Sequence, residues 1–311
     1  MTPIEQLDLA SLRVIDGAMA TELEQRGCDI SGPLWSARVI ENSPSSIEAV
    51  HASYLDAGAD CLLTASYQVS SAGYAELGLP AVNATDDLIR SVKLARDARD
   101  KVAYCSQRRI WIAASLGPYG AALHNGAEYH GNYACTFDEL VQFHAARLAP
   151  LVSTSADLVA FETIPSLEEA RAIVTALRQS RQIAAWISFS CRDGRTVNHG
   201  EPIADCGALL DLEPQIVAVG VNCTAPQWIT PLISELKSVT RKPIVVYPNS
   251  GEQWDAEHRS WRGESDPGEF GAWAREWFAA GAQAVGGCCR TGPEHIRAIR
   301  VAAGSMTSGA A

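Results

Sequence analysis

Eight short apolar runs recur along this chain, and they limit its fold more than any other feature. Each run is nearly continuously apolar and does not alternate with polar residues, which is typical of parallel strands covered on both faces. The segments between the runs show helical periodicity, so strands and helices alternate along the chain. The runs are "RVIDGAM" (13–19), "CLLTASY" (61–67), "IWIAASLG" (110–117), "LVAFETI" (158–164), "AWISFSC" (185–191), "IVAVGVNC" (216–223), "PIVVYPNSG" (243–251) and "QAVGGCC" (283–289).

Two of the intervening segments carry the sequence signature of a helix start. In a capping box, a Ser or Thr at the start of the helix and a Glu three residues later each bond the backbone N–H of the other. Thr136 with Glu139 and Ser166 with Glu169 have this spacing. The two pairs predict where two of the helices begin.

Eight strand–helix units with short connections predict a single-domain α/β fold, a (β/α)8 barrel of the TIM type. Such crossovers are right-handed, and eight parallel strands close into a barrel. We expect the barrel domain over residues 1–304 and a frayed tail of small and polar residues over 305–311. A doubly wound open sheet is the alternative, and it is weaker because no G-x-G-x-x-G motif follows the first run.

Charge and cysteine content exclude several classes of protein. The net charge of −11 argues against nucleic-acid binding, which needs basic patches. No apolar stretch reaches the roughly 18 residues of a membrane-spanning helix, and the first residues lack the features of a signal peptide, so we expect no membrane partner. The nine cysteines, an odd number at irregular spacings, fit free or metal-bound thiols in a reducing cytoplasm better than a disulfide framework.

Three cysteines fall where predicted strands end, which is where a barrel of this type forms its active site. Cys223 closes the sixth run, and Cys288 and Cys289 close the eighth. Neighbouring side chains in a strand point to opposite faces, so two adjacent cysteines could reach one ion only if the strand had already ended. Gly286 and Gly287 would permit such a turn. Three thiolates suit zinc, and three buried, inert cysteines are the alternative.

Two carboxylates also end apolar runs. Asp16 lies in the first run and Glu162 in the fourth, where an unpaired buried charge would be costly. Either they form salt bridges inside the barrel, or they receive a cationic group such as a substrate ammonium. Composition and spacing leave both interpretations open.

Seven motifs at or beside the strand ends carry a resemblance to a known family. They are "DGAMATELEQRG", "TASYQ", "GPYG", "FETIP", "GVNC", "YPNSGE" and "GGCCR". Together they resemble the zinc-dependent homocysteine S-methyltransferases, and most closely the enzymes that use S-methylmethionine or S-adenosylmethionine. The resemblance runs from Asp16 to about Ile296, and the ordered pair "GVNC" and "GGCCR" is its most specific part.

The resemblance implies a methyltransferase built on a (β/α)8 barrel with one Zn²⁺ per chain, held by Cys223, Cys288 and Cys289. It implies methyl transfer from a sulfonium donor, S-methylmethionine or also S-adenosylmethionine, to the thiolate of homocysteine, giving methionine. A free alkyl thiol is mostly protonated at neutral pH, and a thiol on zinc is deprotonated. The implied partners are these small molecules, and a homo-oligomer is compatible with the sequence.

The same resemblance assigns residues to the substrate. Asp16 and Glu162 are expected to hold the ammonium group of homocysteine. Weaker expectations for contacts near the substrate fall on residues at other strand ends. These are Gly17, Thr64, Ser66 and Asn222.

Three stretches favour S-methylmethionine as the donor, because they look closest to the bacterial and plant enzymes that use it. They are "LWSA" (34–37), "GAEYHGNY" (126–133) and "VVYPNSGE" (245–252). "NHGEPI" (198–203) departs from the usual family turn, which puts donor contacts from that loop in doubt.

A sulfonium cation would be attracted by acidic and aromatic groups such as Glu128, Tyr129 and Tyr133, which otherwise belong to an ordered surface loop. Three other functions remain as alternatives. One is a betaine-type homocysteine methyltransferase, and another is a non-catalytic zinc–thiolate barrel that acts as a sensor. The third is a zinc-free α/β enzyme whose cysteines are inert.

Overall fold

One parallel sheet, with its strands in the order of the chain, forms the centre of the computed structural model. The structure describes residues 7, 9–30, 37–76, 78–103, 108–180, 183–255, 260–262 and 265–307. Seven described strands form the sheet, and two more pair as an antiparallel hairpin. The sheet contains β1 (Cys61–Leu63), β2 (Trp111–Leu116), β3 (Leu158–Ile164), β4 (Ala185–Phe189), β5 (Ile216–Asn222), β6 (Ile244–Tyr247) and β9 (Ala284–Val285), and the hairpin pairs β7 (Gln253–Asp255) with β8 (Ser260–Arg262).

Helices connect these strands. Short 3-10 turns lie at Leu9–Ser11, Ala127–Tyr129 and Pro226–Trp228. The α-helices in the described ranges are α1 (Met19–Gln25), α2 (Ala37–Asn42), α3 (Pro44–Ala57), α4 (Ser71–Glu76), α5 (Ala81–Ala103), α6 (Tyr119–Ala122), α7 (Phe137–Leu151), α8 (Leu167–Ser180), α9 (Ile203–Asp211), α10 (Ile229–Lys237), α11 (Pro267–Ala280) and α12 (Pro293–Thr307).

Seven of the eight apolar runs contain the strands of the sheet, which confirms the α/β alternation. The first run makes only two isolated parallel bridges, Val14 with Val285 and Ile15 with Cys61. Carboxylates take backbone N–H groups at both ends of this run: Asp60 accepts those of residues 13 and 14, at 3.2 and 3.0 Å, and Asp16 accepts that of Leu63, at 2.9 Å. The structure therefore has a curled seven-stranded sheet where eight full strands are expected. Its order, which does not reverse, differs from that of a doubly wound sheet.

Both faces of the strands are buried, as their continuous apolar character predicts. Along β2, Trp111 and Ala113 pack with one group of buried side chains, whereas Ile112 and Ala114 pack with another. The first group consists mostly of strand residues and includes Trp186, so the curled sheet encloses it. The second group contains most of the buried helix residues and joins the helices to the outside of the sheet.

The two expected capping boxes have different outcomes. At the start of α7, Thr136 Oγ1 accepts the N–H of Glu139, and the Glu139 carboxylate accepts the N–H of Thr136, so this box is complete. At α8, Ser166 Oγ accepts the N–H of Glu169 at 3.2 Å. The Glu169 carboxylate instead bonds His144 and other groups, so the second box is only half formed.

Some features lie outside the expectations or outside the described residues. The hairpin of β7 and β8 has no counterpart among the predicted strands. Helix α12 continues to Thr307, and residues 308–311 of the expected tail, like 34–36 of the "LWSA" stretch, lie outside the described residues. Among the described helices, none combines the length and the apolar character needed to cross a membrane.

Acid should destabilise this fold through His51, which lies fully buried on α3. Its two ring nitrogens have no hydrogen-bond partner in the described part of the chain, and burial lowers the pKa of His51 to about 3. The unfolded chain takes up a proton near pH 6.5 and the folded chain does not, so stability is lost as the pH falls below about 6.5. Between pH 7 and pH 5, this single group should remove about 2 kcal/mol.

The check is denaturant unfolding of the wild type and His51→Leu at both pH values. The variant should lose about 2 kcal/mol less than the wild type between pH 7 and pH 5. An equal loss in the two proteins would contradict this role for His51.

Candidate functional site

Three thiols from distant parts of the chain meet at the carboxyl ends of the strands. The Sγ atoms of Cys223, Cys288 and Cys289 all lie within 4.8 Å of one another, and those of Cys223 and Cys289 are 3.7 Å apart. Cys223 directly follows β5, whereas Cys288 and Cys289 lie beyond the end of β9 at Val285. The strand thus ends before the adjacent cysteines, which is the condition under which both could reach one ion.

The two glycines before Cys288 allow a close approach of the backbone. A Cβ atom on Gly287 would lie 2.2 Å from Thr291 Oγ1, and one on Gly286 would lie 2.7 Å from Ile15 Cβ. The left-handed residue of this turn is not a glycine but Arg290, whose φ is 67°. The glycines thus provide space for the turn, and the change of chain direction occurs after the cysteines.

Backbone hydrogen bonds fix the turn to the neighbouring strand ends. The N–H of Cys288 donates to Pro248 O at 2.7 Å, and the carbonyl of Cys289 accepts the N–H of Ser250 at 3.1 Å. Gly287 N–H donates to Asp16 O at 3.0 Å. The thiols are therefore held on a rigid rim and not on a free loop.

The three thiols do not ionise alike. Hydrogen bonds from Cys223 and Cys288 lower the pKa of the Cys289 thiol well below its ordinary value. The contacts with Cys288 and then Cys289, together with burial, raise the pKa of Cys223 well above it. One thiolate thus opposes the ionisation of its neighbours, and a cation between them would remove that opposition. Three sulfur ligands at this spacing could hold a metal ion.

Two carboxyl groups lie next to this cluster without a cationic partner. Burial raises the pKa of Glu162 to about 8, although the hydroxyl of Ser115 donates to it and lowers the pKa. Burial likewise raises the pKa of Asp16 well above its ordinary value, although Leu63 N–H donates to Oδ2 at 2.9 Å. Neither group forms an ion pair with a described Arg, Lys or His, and Asp16 Oδ1 has no described partner. The arrangement therefore suits an incoming cation better than an internal salt bridge.

Thr64 and Ser66 are already joined to the ends of β1 and β2. Their hydroxyl oxygens are 2.6 Å apart, Ser66 Oγ donates to Ser115 O at 2.9 Å, and Ser115 N–H donates to Thr64 Oγ1 at 3.0 Å. Gly17 lies against the ring of Tyr54, where a Cβ atom would be only 2.9 Å away. These contacts brace the strand ends, and a substrate contact for each residue stays a prediction.

A cavity of about 140 Å³ opens above the thiols. Its wall includes Glu162 and Asn222 together with the three cysteines, but neither Asp16 nor Ser66. It also includes Gly17, Thr64, Tyr129 and Gly287, which the sequence analysis names. The other lining residues lie in or beside the motifs and apolar runs, although the sequence analysis did not single them out. They are Ala18, Met19, Ala20, Thr21, Leu63, Ala65, Tyr67, Ser115, Thr163 and Tyr247.

The three residues that were expected to attract the methyl donor have different surroundings in the structure. Tyr129 lines the cavity and is about half exposed, whereas Glu128 is buried with its Oε2 atom unpartnered in the described part of the chain. Tyr133 instead donates its hydroxyl to Glu169 at 2.8 Å and packs against the ring of Tyr119. Only Tyr129 is therefore placed on the cavity wall.

The divergent turn lies away from the cavity wall. His199 Nδ1 is 3.0 Å from Glu201 Oε1, and Glu201 Oε1 also accepts the N–H of Leu167 at 3.3 Å. None of these three residues belongs to the lining. The turn therefore braces the start of α8.

Comparisons with known proteins agree with this geometry. A family model for homocysteine S-methyltransferase matches residues 13–303. The homocysteine S-methyltransferase YbgG of Bacillus subtilis (strain 168) is 48% identical over 98% of this chain and 99% of its own length. The homocysteine S-methyltransferase of Escherichia coli (strain K12) is 42% identical over 94% of this chain and 96% of its own.

A solved structure shows the same likeness. The homocysteine methyltransferase MmuM from Escherichia coli, in its metallated form, superposes with a TM-score of 0.84 at 39% identity. The match covers 96% of this chain and 97% of that one. Since the family model and relatives of this similarity span nearly the whole length, this chain belongs to the homocysteine S-methyltransferase family.

Proposed function

We propose that this chain transfers a methyl group from a sulfonium donor to the sulfur of homocysteine, forming methionine. The observation that carries the proposal is the cluster of three cysteine thiols on the wall of a cavity that also contains the carboxyl group of Glu162, which has no described cationic partner. In the reaction, the methyl leaves the positively charged sulfur of the donor, which becomes a neutral thioether. It joins the homocysteine thiolate, so no further reactant is required.

We infer that Cys223, Cys288 and Cys289 hold one zinc ion per chain. Three sulfur ligands favour zinc over harder cations, and catalytic zinc sites combine three protein ligands with one open position. In the described residues, no His, Asp or Glu completes the group of three cysteines, which speaks against a closed structural or sensor site. When bound, zinc would supply the positive charge that keeps the homocysteine thiol deprotonated at neutral pH.

Glu162 and Asp16 provide the site for the homocysteine ammonium. Both are buried and lack a described cationic partner, so an ammonium group that enters their surroundings restores their ionised form. Ser115 donates to Glu162, and Leu63 N–H donates to Asp16, so both carboxyl groups are oriented before the substrate arrives. Gly17, Thr64, Ser66 and Asn222 support this wall.

The donor lies against the aromatic side of the cavity. The rings of Tyr67 and Tyr129 line this side, and no Lys or Arg belongs to the described lining. Aromatic faces attract cations, so a sulfonium such as that of S-methylmethionine fits better than an uncharged donor. Betaine also carries a cationic group, its quaternary ammonium, and a comparison of donors is required to separate the two.

We also propose that the sheet closes as a (β/α)8 barrel, with residues around Val14 and Ile15 as the eighth strand between β9 and β1. Ile15 N–H donates to Val285 O at 2.9 Å, and Asp16 N–H donates to Cys61 O at 3.0 Å, which supports this closure. The cysteines among the described residues are all free, so we place the reaction in a reducing cytoplasm.

Zinc-loaded protein, given homocysteine and one donor at a time, should form methionine with a sulfonium donor. S-methylmethionine, S-adenosylmethionine, betaine and methyltetrahydrofolate are compared by chromatography of the product. Turnover with betaine alone would assign the chain to the betaine-type enzymes. The absence of methionine with every donor, while zinc is bound, would favour a non-catalytic zinc–thiolate protein.

Replacing any cysteine of the cluster should remove the metal and the activity together. Each of three variants deletes one sulfur ligand: Cys223→Ser, Cys288→Ser and Cys289→Ser. Because zinc binding depends on a complete ligand set, we expect less than about a tenth of the wild-type zinc content after dialysis. Cys28→Ser changes a thiol outside the cluster and should keep both zinc and activity. Full methyl transfer by a variant shown to lack zinc would refute the proposed role of the metal.

Glu162→Gln should weaken homocysteine binding and leave zinc in place. Loss of a charge-assisted hydrogen bond to the ammonium should raise the KM for homocysteine about 10- to 100-fold. The measurement is steady-state kinetics together with the zinc content of the same samples. Glu168→Gln, on the exposed surface of α8, serves as the control. An unchanged KM in Glu162→Gln would remove Glu162 from the substrate site.

A further inference from the structure

We propose that Asn222 is a positioning residue that connects the homocysteine side of the cavity to the metal side. Its amide fixes the backbone beside Glu162 and gives its remaining N–H to the sulfur of Cys288. The proposal rests on the function proposed above, because it assumes that Cys288 binds zinc and that Glu162 binds homocysteine. It gives Asn222 a role that needs no direct contact with the substrate.

The hydrogen bonds of Asn222 determine which way its amide points. Oδ1 accepts the backbone N–H of Thr163 at 2.7 Å and the hydroxyl of Ser188 at 2.9 Å. A backbone N–H can only donate, so the oxygen of the amide must face Thr163 N. The nitrogen Nδ2 consequently faces Thr163 Oγ1 at 2.8 Å and Cys288 Sγ at 3.9 Å. Asn222 is fully buried and already makes the four bonds that an amide can make.

The segment that Asn222 holds is a bulge in β3. Phe161 pairs with Ile187 and Ile164 with Phe189, so β3 has one residue more than β4 over this stretch. A bulge of this kind bends the strand and re-aims its side chains. Phe161 and Ile164 both pack towards the helices, whereas the two residues between them, Glu162 and Thr163, both line the cavity. In a regular strand, two neighbouring side chains could not share one side.

Thr163 carries the strain of this bulge. Its φ is 64°, in the left-handed region that a β-branched residue rarely adopts. Because of the bulge, its backbone N–H points away from the sheet ladder, and Asn222 Oδ1 accepts it. Asn222 therefore satisfies the backbone and the side chain of the same strained residue. Together with the hydroxyl of Ser115, which donates to Glu162, Asn222 keeps the Glu162 side chain turned into the cavity.

The remaining N–H of Asn222 acts on the metal side. A hydrogen bond to a ligating sulfur reduces the charge that the sulfur presents to the metal and fixes its orientation. Partners of this kind typically change metal affinity about 10- to 100-fold when they are replaced. The single amide thus contacts both Thr163, next to Glu162, and Cys288, a proposed zinc ligand.

Three variants distinguish the effect of Asn222 on zinc binding from its effect on homocysteine binding. Asn222→Asp keeps an oxygen for Thr163 N and Ser188 but has no N–H for Cys288. Thr163→Gly adopts a φ of 64° without strain, and it leaves the amide next to Cys288. Ser188→Ala removes one bond to Oδ1 and the bond to the Tyr247 hydroxyl, but it leaves the N–H that faces Cys288, so it serves as the control. For each, the zinc dissociation constant is measured by chelator competition, and the KM for homocysteine by steady-state kinetics.

Asn222→Asp should weaken zinc binding about 10- to 100-fold, because a carboxylate then lies beside the sulfur of Cys288. Thr163→Gly should keep the wild-type zinc affinity and raise the KM for homocysteine several-fold. Ser188→Ala should change neither by more than about threefold, since N–H donation to Cys288 remains. Wild-type zinc affinity in Asn222→Asp would overturn the proposal, and so would an equal loss of zinc affinity in Thr163→Gly.

A measurement on the wild type covers the case in which Asn222→Asp does not fold. The side-chain amide protons of Asn222 should shift in nitrogen-15 NMR spectra when Zn²⁺ is added, whereas those of the exposed Asn125 should not. No shift at Asn222 would contradict the contact with Cys288. If the wild type binds no Zn²⁺ at all, the proposed function fails first, which distinguishes the two failures.

Discussion

Successive side chains of a regular β-strand point to opposite faces. The site of this protein depends on irregular backbone at the strand ends, which lets consecutive side chains face the same cavity. Among the neighbouring residues that line the same cavity are three polar pairs: Glu162 with Thr163, Asn222 with Cys223, and Cys288 with Cys289. Each pair contains or directly precedes a residue with left-handed backbone, since φ is 64° at Thr163, 48° at Cys223 and 67° at Arg290. The strands end or bulge at these positions, and so two consecutive side chains can face one substrate.

Such backbone conformations are costly, at roughly 1–3 kcal/mol for each residue outside glycine. They persist because the rim around them is bonded on several sides. The ion pair of Arg290 with Glu252, at 3.2 Å, and the bond from Ser250 N–H to Cys289 O hold the cysteine turn. Deeper inside, Trp186 donates to the hydroxyl of Tyr247, which bonds Ser188. Strain at the site is thus balanced by a rigid core beneath it.

The sequence predicts the repeating part of this structure well and its irregular part poorly. Continuous apolar runs are a property of the whole strand, so the seven strands of the sheet are found within the expected runs. The first run makes only isolated bridges, and the carboxylates of Asp60 and Asp16 take backbone N–H groups at its two ends. The second capping box fails for a similar reason, since Glu169 bonds His144 and Tyr133. Long-range partners of single polar groups leave no periodic signal.

In the candidate site, too, the sequence predicts the regular features but not the irregular ones. The meeting of the three cysteines follows from where strands end, and it is found within 4.8 Å. The bulge at Glu162 and Thr163 has no such signal, because "FETI" reads as a regular buried strand. Tyr67 and Tyr247 lie in quoted motifs, yet only the curl of the sheet shows that both reach the cavity.

Charge gives the last link between this geometry and the proposed chemistry. The described lining contains Glu162 and three cysteines but no Lys, Arg or His. Without ligands, protons neutralise Glu162 and the nearby Asp16, because burial raises the pKa of both carboxyl groups, whereas the pKa of the Cys289 thiol is lowered. Each proposed occupant brings a positive group to a different place: zinc to the thiols, ammonium to Glu162 and Asp16, and sulfonium to the tyrosines. The proposed methyl transfer removes the charge of the sulfonium, so the demethylated donor loses the attraction between a cation and the tyrosine rings.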